Sequence, residues 1–132
     1  FEPRASFLAA RDGTAEDFGK IEHYFHELVA AYEQKLPIKA TSESALGFHL
    51  AVINASHNGL FVTIGSAVKS ALRVSSELLQ QHAAQPNEDI ALHDAVRTAI
   101  LARRPSEAAD AMTRLLAASR ERMLPLTVDA AE

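Results

Sequence analysis

Hydrophobic residues recur every three or four positions along most of this chain, which is the spacing of an amphipathic α-helix. Stretches of alternating apolar and polar residues, typical of a half-buried strand, are scarce. The pattern predicts six helices, over about 1–11, 14–34, 43–56, 60–82, 88–103 and 105–123, with a tail from Pro125 that frays. We therefore predict an all-α fold, an antiparallel bundle of about six helices that occupies 1–132 as a single domain.

Residues that favour turns or helix ends separate these helices. Pro37 should end the second helix, and a loop that contains Thr41 and Ser42 should lead into the third. Thr14 and Asn87 are predicted N-caps, because their side chains can accept a hydrogen bond from the first helical turn. The fourth helix is predicted to turn one stripe inward, formed by Leu60, Ile64, Val68, Ala71, Leu72, Ser75 and Leu78.

Two histidines lie on the apolar faces of predicted helices. His49 shares a helical face with Leu46 and Val52, and His93 shares one with Val96. A buried imidazole needs a hydrogen-bond partner, so one interpretation is that both histidines meet in a single polar cavity inside the bundle. The other is that each is an isolated core histidine bonded to a backbone carbonyl, and the spacing alone leaves both open.

The composition is that of an ordinary globular chain, with 48% hydrophobic and 23% charged residues. The formal net charge is −4 and there is no basic stripe, so the chain itself is not expected to bind nucleic acid. The absence of cysteine excludes disulfides and thiolate metal sites. No apolar run approaches the roughly 20 residues of a membrane span, so we expect no membrane partner and a cytoplasmic location. The chain opens at Phe1 rather than at a methionine, which suggests that a segment is missing upstream.

Several short motifs occur in an order that resembles the FCD domain, the C-terminal effector-binding domain of FadR-like regulators in the GntR family of transcription factors. The motifs are Glu2-Pro3, Leu8-Ala9-Ala10, Thr14-Ala15-Glu16-Asp17, Phe48-His49, Ala55-Ser56-His57-Asn58, Leu92-His93-Asp94-Ala95-Val96, Ala99-Ile100, Glu107-Ala108-Ala109 and Ala111-Met112. The resemblance implies a homodimer, with Phe1, Phe7 and Leu8 at or near its interface. It also implies a winged helix-turn-helix domain upstream, through which alone the regulator would contact DNA.

The same resemblance raises the question of a metal. Many FCD domains hold a divalent ion through an Asp, the Phe-His histidine, the fifth-helix histidine and a histidine on the last helix. His49 and His93 match two of these ligands, but Ala45 and Leu115 stand at the other two positions. Two imidazoles rarely hold zinc tightly without a third protein ligand. We therefore expect no cofactor, with zinc or nickel on His49 and His93 as the alternative.

Arg73, near the middle of the predicted fourth helix, is a candidate ligand for an anion. Its position resembles one that is often basic in sugar-acid-responsive FCD domains, and Ser66 and Ser70 precede it on the helix. A guanidinium can donate two parallel hydrogen bonds to a carboxylate, although Arg73 could equally be a surface residue paired with Glu77. We predict that a small carboxylate, a sugar acid or related hydroxy acid, binds here. The predicted ligand-binding residues are His49, His93, Arg73, Ser70 and Asn54.

The predicted function is a ligand-sensing and dimerisation domain of a bacterial GntR-family regulator, not an enzyme. An acid bound in the bundle would shift the population between two arrangements of the dimer, and so change the spacing of the DNA-reading domains. The alternative is a histidine-based metal-binding helical-bundle enzyme, which would need a carboxylate partner or a third metal ligand. Ala45 and Leu115 remove the obvious candidates for both. A third interpretation, an interaction module without a ligand, would be disfavoured by a polar cavity between the helices.

Overall fold

A computed structural model gives the architecture of the chain. It describes residues 1–67, 69–71, 73–74 and 85–131, with side chains as far as 121. The helices with defined bounds are α1 (Glu2–Asp12), α2 (Ala15–Glu33), α3 (Ile38–Ala55), α4 (Gly59–Ala67), α5 (Pro86–Leu101) and α6 (Pro105–Ala131). These residues contain no strand, which confirms the predicted all-α fold. Within the same residues, no helix is long and apolar enough to cross a membrane.

The break between α1 and α2 follows the prediction closely. The backbone N–H of Asp17 donates to the Thr14 hydroxyl at 3.1 Å, and the Thr14 N–H donates to the Asp17 carboxylate at 2.9 Å. This reciprocal capping box satisfies two backbone donors that the start of a helix leaves without partners. Gly13, just before the capping box, lies so close to α1 that a Cβ on it would be 2.5 Å from the Ala9 carbonyl oxygen. The first two helices can therefore lie against the same core.

The start of α3 differs from the prediction. The helix begins at Ile38, directly after Pro37, so Thr41 and Ser42 lie in its first turns and not in a loop. Both are buried, and the Thr41 hydroxyl donates to the carbonyl of Ile38 at 2.9 Å. Serine and threonine favour helix ends in general, but a hydroxyl that bonds back to the preceding turn can sit inside a helix. The prediction of a loop here was wrong for that reason.

Two further bounds also need correction. Gln85 occupies the N-cap of α5 and the helix begins at Pro86, so Asn87 lies in the first turn and is not the cap. Proline is well suited to the first helical position because the N–H that it lacks would have no partner there. The last helix, α6, continues to Ala131, past the predicted end and through Pro125.

The fourth predicted helix is described only in part. Residues 69–71 and 73–74 are helical in addition to α4, and the rest of 68–84 lies outside the described residues. Leu60 is 65% exposed and Ala71 is exposed, so the predicted inward stripe is wrong at both positions. Val68, Leu72, Ser75, Leu78 and the possible Arg73 partner Glu77 fall outside the described residues.

The core is built mainly from small and aliphatic side chains of α1, α2, α3, α5 and α6. Its members include Ala9, Ala10, Ile21, Phe25, Phe48, Ala51, Val52, Val96, Ile100, Ala108, Ala111, Met112 and Leu115. Leu8 is also buried, at 7% exposure, whereas Phe1 remains 46% exposed. Alanine-rich faces let helices approach closely. The bundle also brings polar side chains of α1, α2, α3 and α5 into contact.

Candidate functional site

His49 on α3 and His93 on α5 face each other inside the bundle. Their ring centroids are 5.5 Å apart with the planes at 79°, and the fully buried ring of Phe48 packs edge-on against both. The His93 side chain is 3% exposed and that of His49 is 17% exposed. The histidine pair therefore has an inner member and an outer member, which lies nearer to solvent.

Glu2, the first residue of α1, holds the outer histidine. Its Oε1 lies 2.7 Å from Nδ1 of His49, and its side chain is only 12% exposed. Burial lowers the pKa of His49, but the charge of Glu2 and its hydrogen bond outweigh burial and, with Asp89, raise this pKa above its ordinary value. Burial likewise raises the pKa of Glu2, yet the charge of His49 and its hydrogen bond leave it below its ordinary value. The two side chains therefore form a charged, hydrogen-bonded pair.

The inner histidine is fixed by its own helix. Nδ1 of His93 lies 2.8 Å from the backbone carbonyl oxygen of Asp89, one turn earlier in α5. Since a carbonyl oxygen can only accept, Nδ1 carries the proton, which defines the orientation of the imidazole ring. The Asp89 side chain is itself 2% exposed, and its Oδ1 lies 3.5 Å from the same Nδ1. Tyr32 on α2 donates its hydroxyl to Oδ2 of Asp89 at 2.6 Å.

Five polar side chains thus meet in what we call the polar cluster: Glu2, Tyr32, His49, Asp89 and His93. They come from four different helices, α1, α2, α3 and α5. Removing carboxylates and imidazoles from water costs several kcal/mol in typical proteins unless they are paired. Alanine and leucine could fill this space without that cost, yet two carboxylates, two imidazoles and a phenol occupy it. Titratable groups whose pKa values are shifted by burial and by charged partners concentrate at functional sites, which makes the polar cluster the candidate site.

The other predicted ligand-binding residues lie elsewhere. Arg73 is exposed and lines an open pocket of about 400 Å³, together with residues of α2, α3 and Lys69. Neither His49 nor His93 lines this pocket. Ser70 and Asn54 are exposed, as is Ser66. The structure therefore brings His49 and His93 together but places Arg73 in a pocket that neither histidine lines, and the identity of the ligand-binding residues stays a prediction.

The positions that would complete an FCD-type metal centre carry no donor atoms. Ala45 is 6% exposed and Leu115 is 1% exposed, so apolar side chains are buried at both. Among residues 1–67, 69–71, 73–74 and 85–131, no group of three or more His, Asp or Glu side chains is arranged to hold a metal ion. The residues present do not fit the four-ligand centre that the resemblance implied.

Sequence reasoning missed three members of the polar cluster. Asp89 could have been found, because it precedes His93 by one helical turn and therefore shares its face of α5. Tyr32 follows the apolar spacing of α2, so the pattern gives no sign that its hydroxyl bonds to Asp89. Glu2 belongs to the Glu2-Pro3 motif, but that motif does not indicate its partner, which lies 47 residues away in the sequence.

Comparison with known proteins supports the family resemblance. A family model described as the FCD domain matches residues 1–118. No curated protein matches the chain. The matched region includes all five members of the polar cluster. The chain belongs to the FCD domain family, the effector-binding regulatory domains of GntR-family transcription regulators.

Proposed function

We propose that this domain senses a small organic acid, a sugar acid or related hydroxy acid, which binds beside His49 and His93. The observation that carries the proposal is the polar cluster, in which two imidazoles lie 5.5 Å apart within an alanine-rich core. The family supplies the general role, effector binding, and the cluster supplies the chemistry that would select the effector.

An acid with hydroxyl groups suits the residues of this cluster. A carboxylate beside His49 favours the charged imidazole, as Glu2 does in this structure, and the charged ring can donate a charge-assisted hydrogen bond to it. Asp89 lies deeper, with the half-buried Tyr32 donating to it, and an acid such as gluconate carries hydroxyls that can donate to a carboxylate and accept from a phenol. The apolar core around them excludes water, which strengthens each polar contact. A ligand with one carboxylate and several hydroxyls is thus favoured over a neutral or cationic one.

Two positions for the acid are distinguishable, because Arg73 and the histidines line different parts of the molecule. In isothermal titration with gluconate, His49→Ala is expected to weaken binding by about tenfold or more, as for the loss of a desolvated charged contact. Arg73→Ala should change the affinity less than about twofold. Sorbitol, which carries the hydroxyls without the carboxylate, should not bind. Loss of binding in Arg73→Ala with full binding in His49→Ala would instead place the acid in the Arg73 pocket.

We further propose that the domain is a homodimer and that it acts on DNA through an upstream winged helix-turn-helix domain. Regulators of this type read two-fold operators, so a symmetric pair of sensing domains fits the task. The acid would favour one of two dimer arrangements to the extent that it binds that arrangement more tightly. Light scattering at tens of micromolar should give twice the mass of the chain, and a monomer would contradict this part of the proposal.

The regulatory role of the family favours sensing over catalysis. Glu2 and His49 form a carboxylate–imidazole pair of the kind that acts in general acid–base catalysis. The alternative of a histidine enzyme therefore requires a direct test. Gluconate incubated with the protein should be recovered unchanged, as judged by proton NMR. Its conversion at a rate that His49→Ala abolishes would establish the histidine enzyme instead.

A further inference from the structure

We propose that Glu2 occupies the position beside His49 that the carboxylate of an effector takes, so that the domain carries an internal carboxylate which the effector must displace. This inference rests on the proposed function, since it assigns the site of the incoming acid. It assigns two roles to Glu2, which would select for acidic effectors and would change its position when one binds.

The location of Glu2 within the polar cluster is the first support. Glu2 and His49 are 12% and 17% exposed, whereas Asp89 and His93 are 2% and 3% exposed. The Glu2–His49 pair therefore lies between solvent and the inner pair. A small molecule that approaches the imidazoles from solvent meets this pair first, and Glu2 belongs to a different helix from His49.

The second support is the chemistry of the exchange. Removing Glu2 without a replacement would leave the His49 imidazole largely buried and without its anionic partner, which is unfavourable. A carboxylate ligand restores the same hydrogen bond and the same charge, whereas a neutral polyol restores only the hydrogen bond. An acid can therefore displace Glu2 from His49 but a neutral analogue cannot, so Glu2 determines specificity.

The third support is where the displaced side chain is attached. Glu2 lies in the first turn of α1, and its neighbour Phe1 places its ring 5.4 Å from that of Phe61 on α4. The first two residues thus connect the start of α1 to α3 through Glu2 and to α4 through Phe1. Displacing Glu2 removes its hydrogen bond to α3, while the core contacts of α1 through Ala9 and Ala10 remain, so binding of an acid would loosen only the first turn of α1.

The experiment uses acetate as a replacement for the deleted side chain. Glu2→Ala removes the carboxylate and one methylene, which leaves space of about the size of acetate beside His49. Acetate should raise the melting temperature of Glu2→Ala by roughly 3–5 °C when it is present at about ten times its dissociation constant. Acetate should leave the wild-type protein unchanged within about 1 °C, because Glu2 fills the position. Acetamide, which is neutral, should stabilise neither protein.

Glu107→Ala is the matched control. Glu107 is also an acidic residue in the first turn of a helix, α6, but its side chain is 65% exposed and its ion pair with Arg104 is long, at 3.4 Å. It should show no response to acetate beyond that of the wild type. Equal stabilisation of all three proteins by acetate, or none of Glu2→Ala, would overturn the proposal and leave Glu2 as a structural partner of His49.

Affinity for gluconate separates this inference from the proposed function. If both hold, Glu2→Ala binds gluconate about tenfold more tightly than the wild type, because no internal competitor remains. Equal or weaker binding by Glu2→Ala overturns the role of Glu2 and leaves the acid sensor in place. Acetate rescue without gluconate binding to either protein supports the carboxylate position and overturns the proposed effector class. If Glu2→Ala does not fold, Glu2→Gln provides the same comparison, with tighter gluconate binding expected and unchanged binding contradicting the proposal.

Discussion

Glu2 and His49 are separated by 47 residues in the sequence, and their side chains meet at 2.7 Å. The pair joins the start of α1 to the middle of α3 and closes the outer side of the polar cluster. Its charge state makes the stability of the domain depend on pH, and its position makes it the point at which an incoming acid would act.

The first prediction concerns that pH dependence. The pKa of His49 is raised above 6.5, so its contribution to stability is complete below pH 6.5 and is lost as the pH rises through the raised pKa. The pKa of Glu2 is lowered below 4.5, so its contribution is complete above pH 4.5 and is lost as the pH falls through the lowered pKa. The pair therefore stabilises the fold most between pH 4.5 and 6.5.

Urea unfolding over this range tests the pair. Glu2→Gln should lower the free energy of unfolding by about 1–3 kcal/mol inside the window, less than for a fully buried pair because both side chains retain some exposure. The difference from wild type should shrink at higher pH as His49 loses its proton. Glu107→Gln, at an exposed ion pair, should stay within about 0.5 kcal/mol of wild type at every pH. A pH-independent difference for Glu2→Gln would contradict the assigned charge of the pair.

The second prediction concerns the inner part of the cluster. Tyr32→Phe removes the hydroxyl that donates to Asp89 at 2.6 Å and leaves a buried carboxylate oxygen with one fewer donor. We expect a loss of about 1–3 kcal/mol of unfolding free energy, measured by chemical denaturation. Tyr24 on α2 is the control, because within the described part of the chain its ring contacts His23 but its hydroxyl makes no hydrogen bond. Equal effects of Tyr32→Phe and Tyr24→Phe would show that the bond to Asp89 contributes nothing.

The third prediction tests the packing of α2 on α3 with two glycines. A Cβ on Gly47 would lie 2.5 Å from Cε1 of Tyr24, whereas a Cβ on Gly19 would meet nothing within 4 Å. Gly47→Ala should therefore destabilise the fold by about 1–3 kcal/mol through overpacking. Gly19→Ala should stabilise it by about 0.5–1 kcal/mol, since alanine is the better helix former. Thermal unfolding in which both variants gain stability would show that α3 is not packed this closely against Tyr24.

The fourth prediction concerns metal. Buried Ala45 and Leu115 provide no donor atoms, so elemental analysis of the purified protein should find zinc and nickel far below one ion per chain. His49→Ala should not change that content. A stoichiometric ion that His49→Ala removes would mean that carboxylates such as Glu2 or Asp89 rearrange to complete a metal centre.

The helices could be predicted from the sequence because amphipathic periodicity and capping residues are local signals, as at Thr14 and Asp17. The same signals failed at Thr41 and Ser42, where the residue types favour a loop but burial inside the bundle favours the helix. The facing of His49 and His93 was proposed from their apolar surroundings and left open against two isolated histidines. Glu2 could not be found in this way, because a contact between distant helices depends on how α1 docks, which no local pattern encodes.

Arg73 is a residue that the sequence assigned to a site where the structure does not place it. Its spacing from Ser70 suggested a shared anion site, yet helix periodicity orders residues along one face and does not determine which pocket that face lines. The structure places Arg73 in a pocket with Tyr24 and Glu43, which neither histidine lines. Assigning its role therefore depends on measurement.

The central claim is that an acid binds at His49 and His93. Nitrogen-15 NMR of the six histidine side chains during a gluconate titration tests it most directly, since each imidazole reports its own protonation and hydrogen bonding. The signals of His49 and His93 should shift together and stop shifting when one gluconate is bound per chain. Those of His23 and His26, which are exposed on α2, should not move. Saturable gluconate binding that leaves the signals of His49 and His93 unchanged would contradict the account.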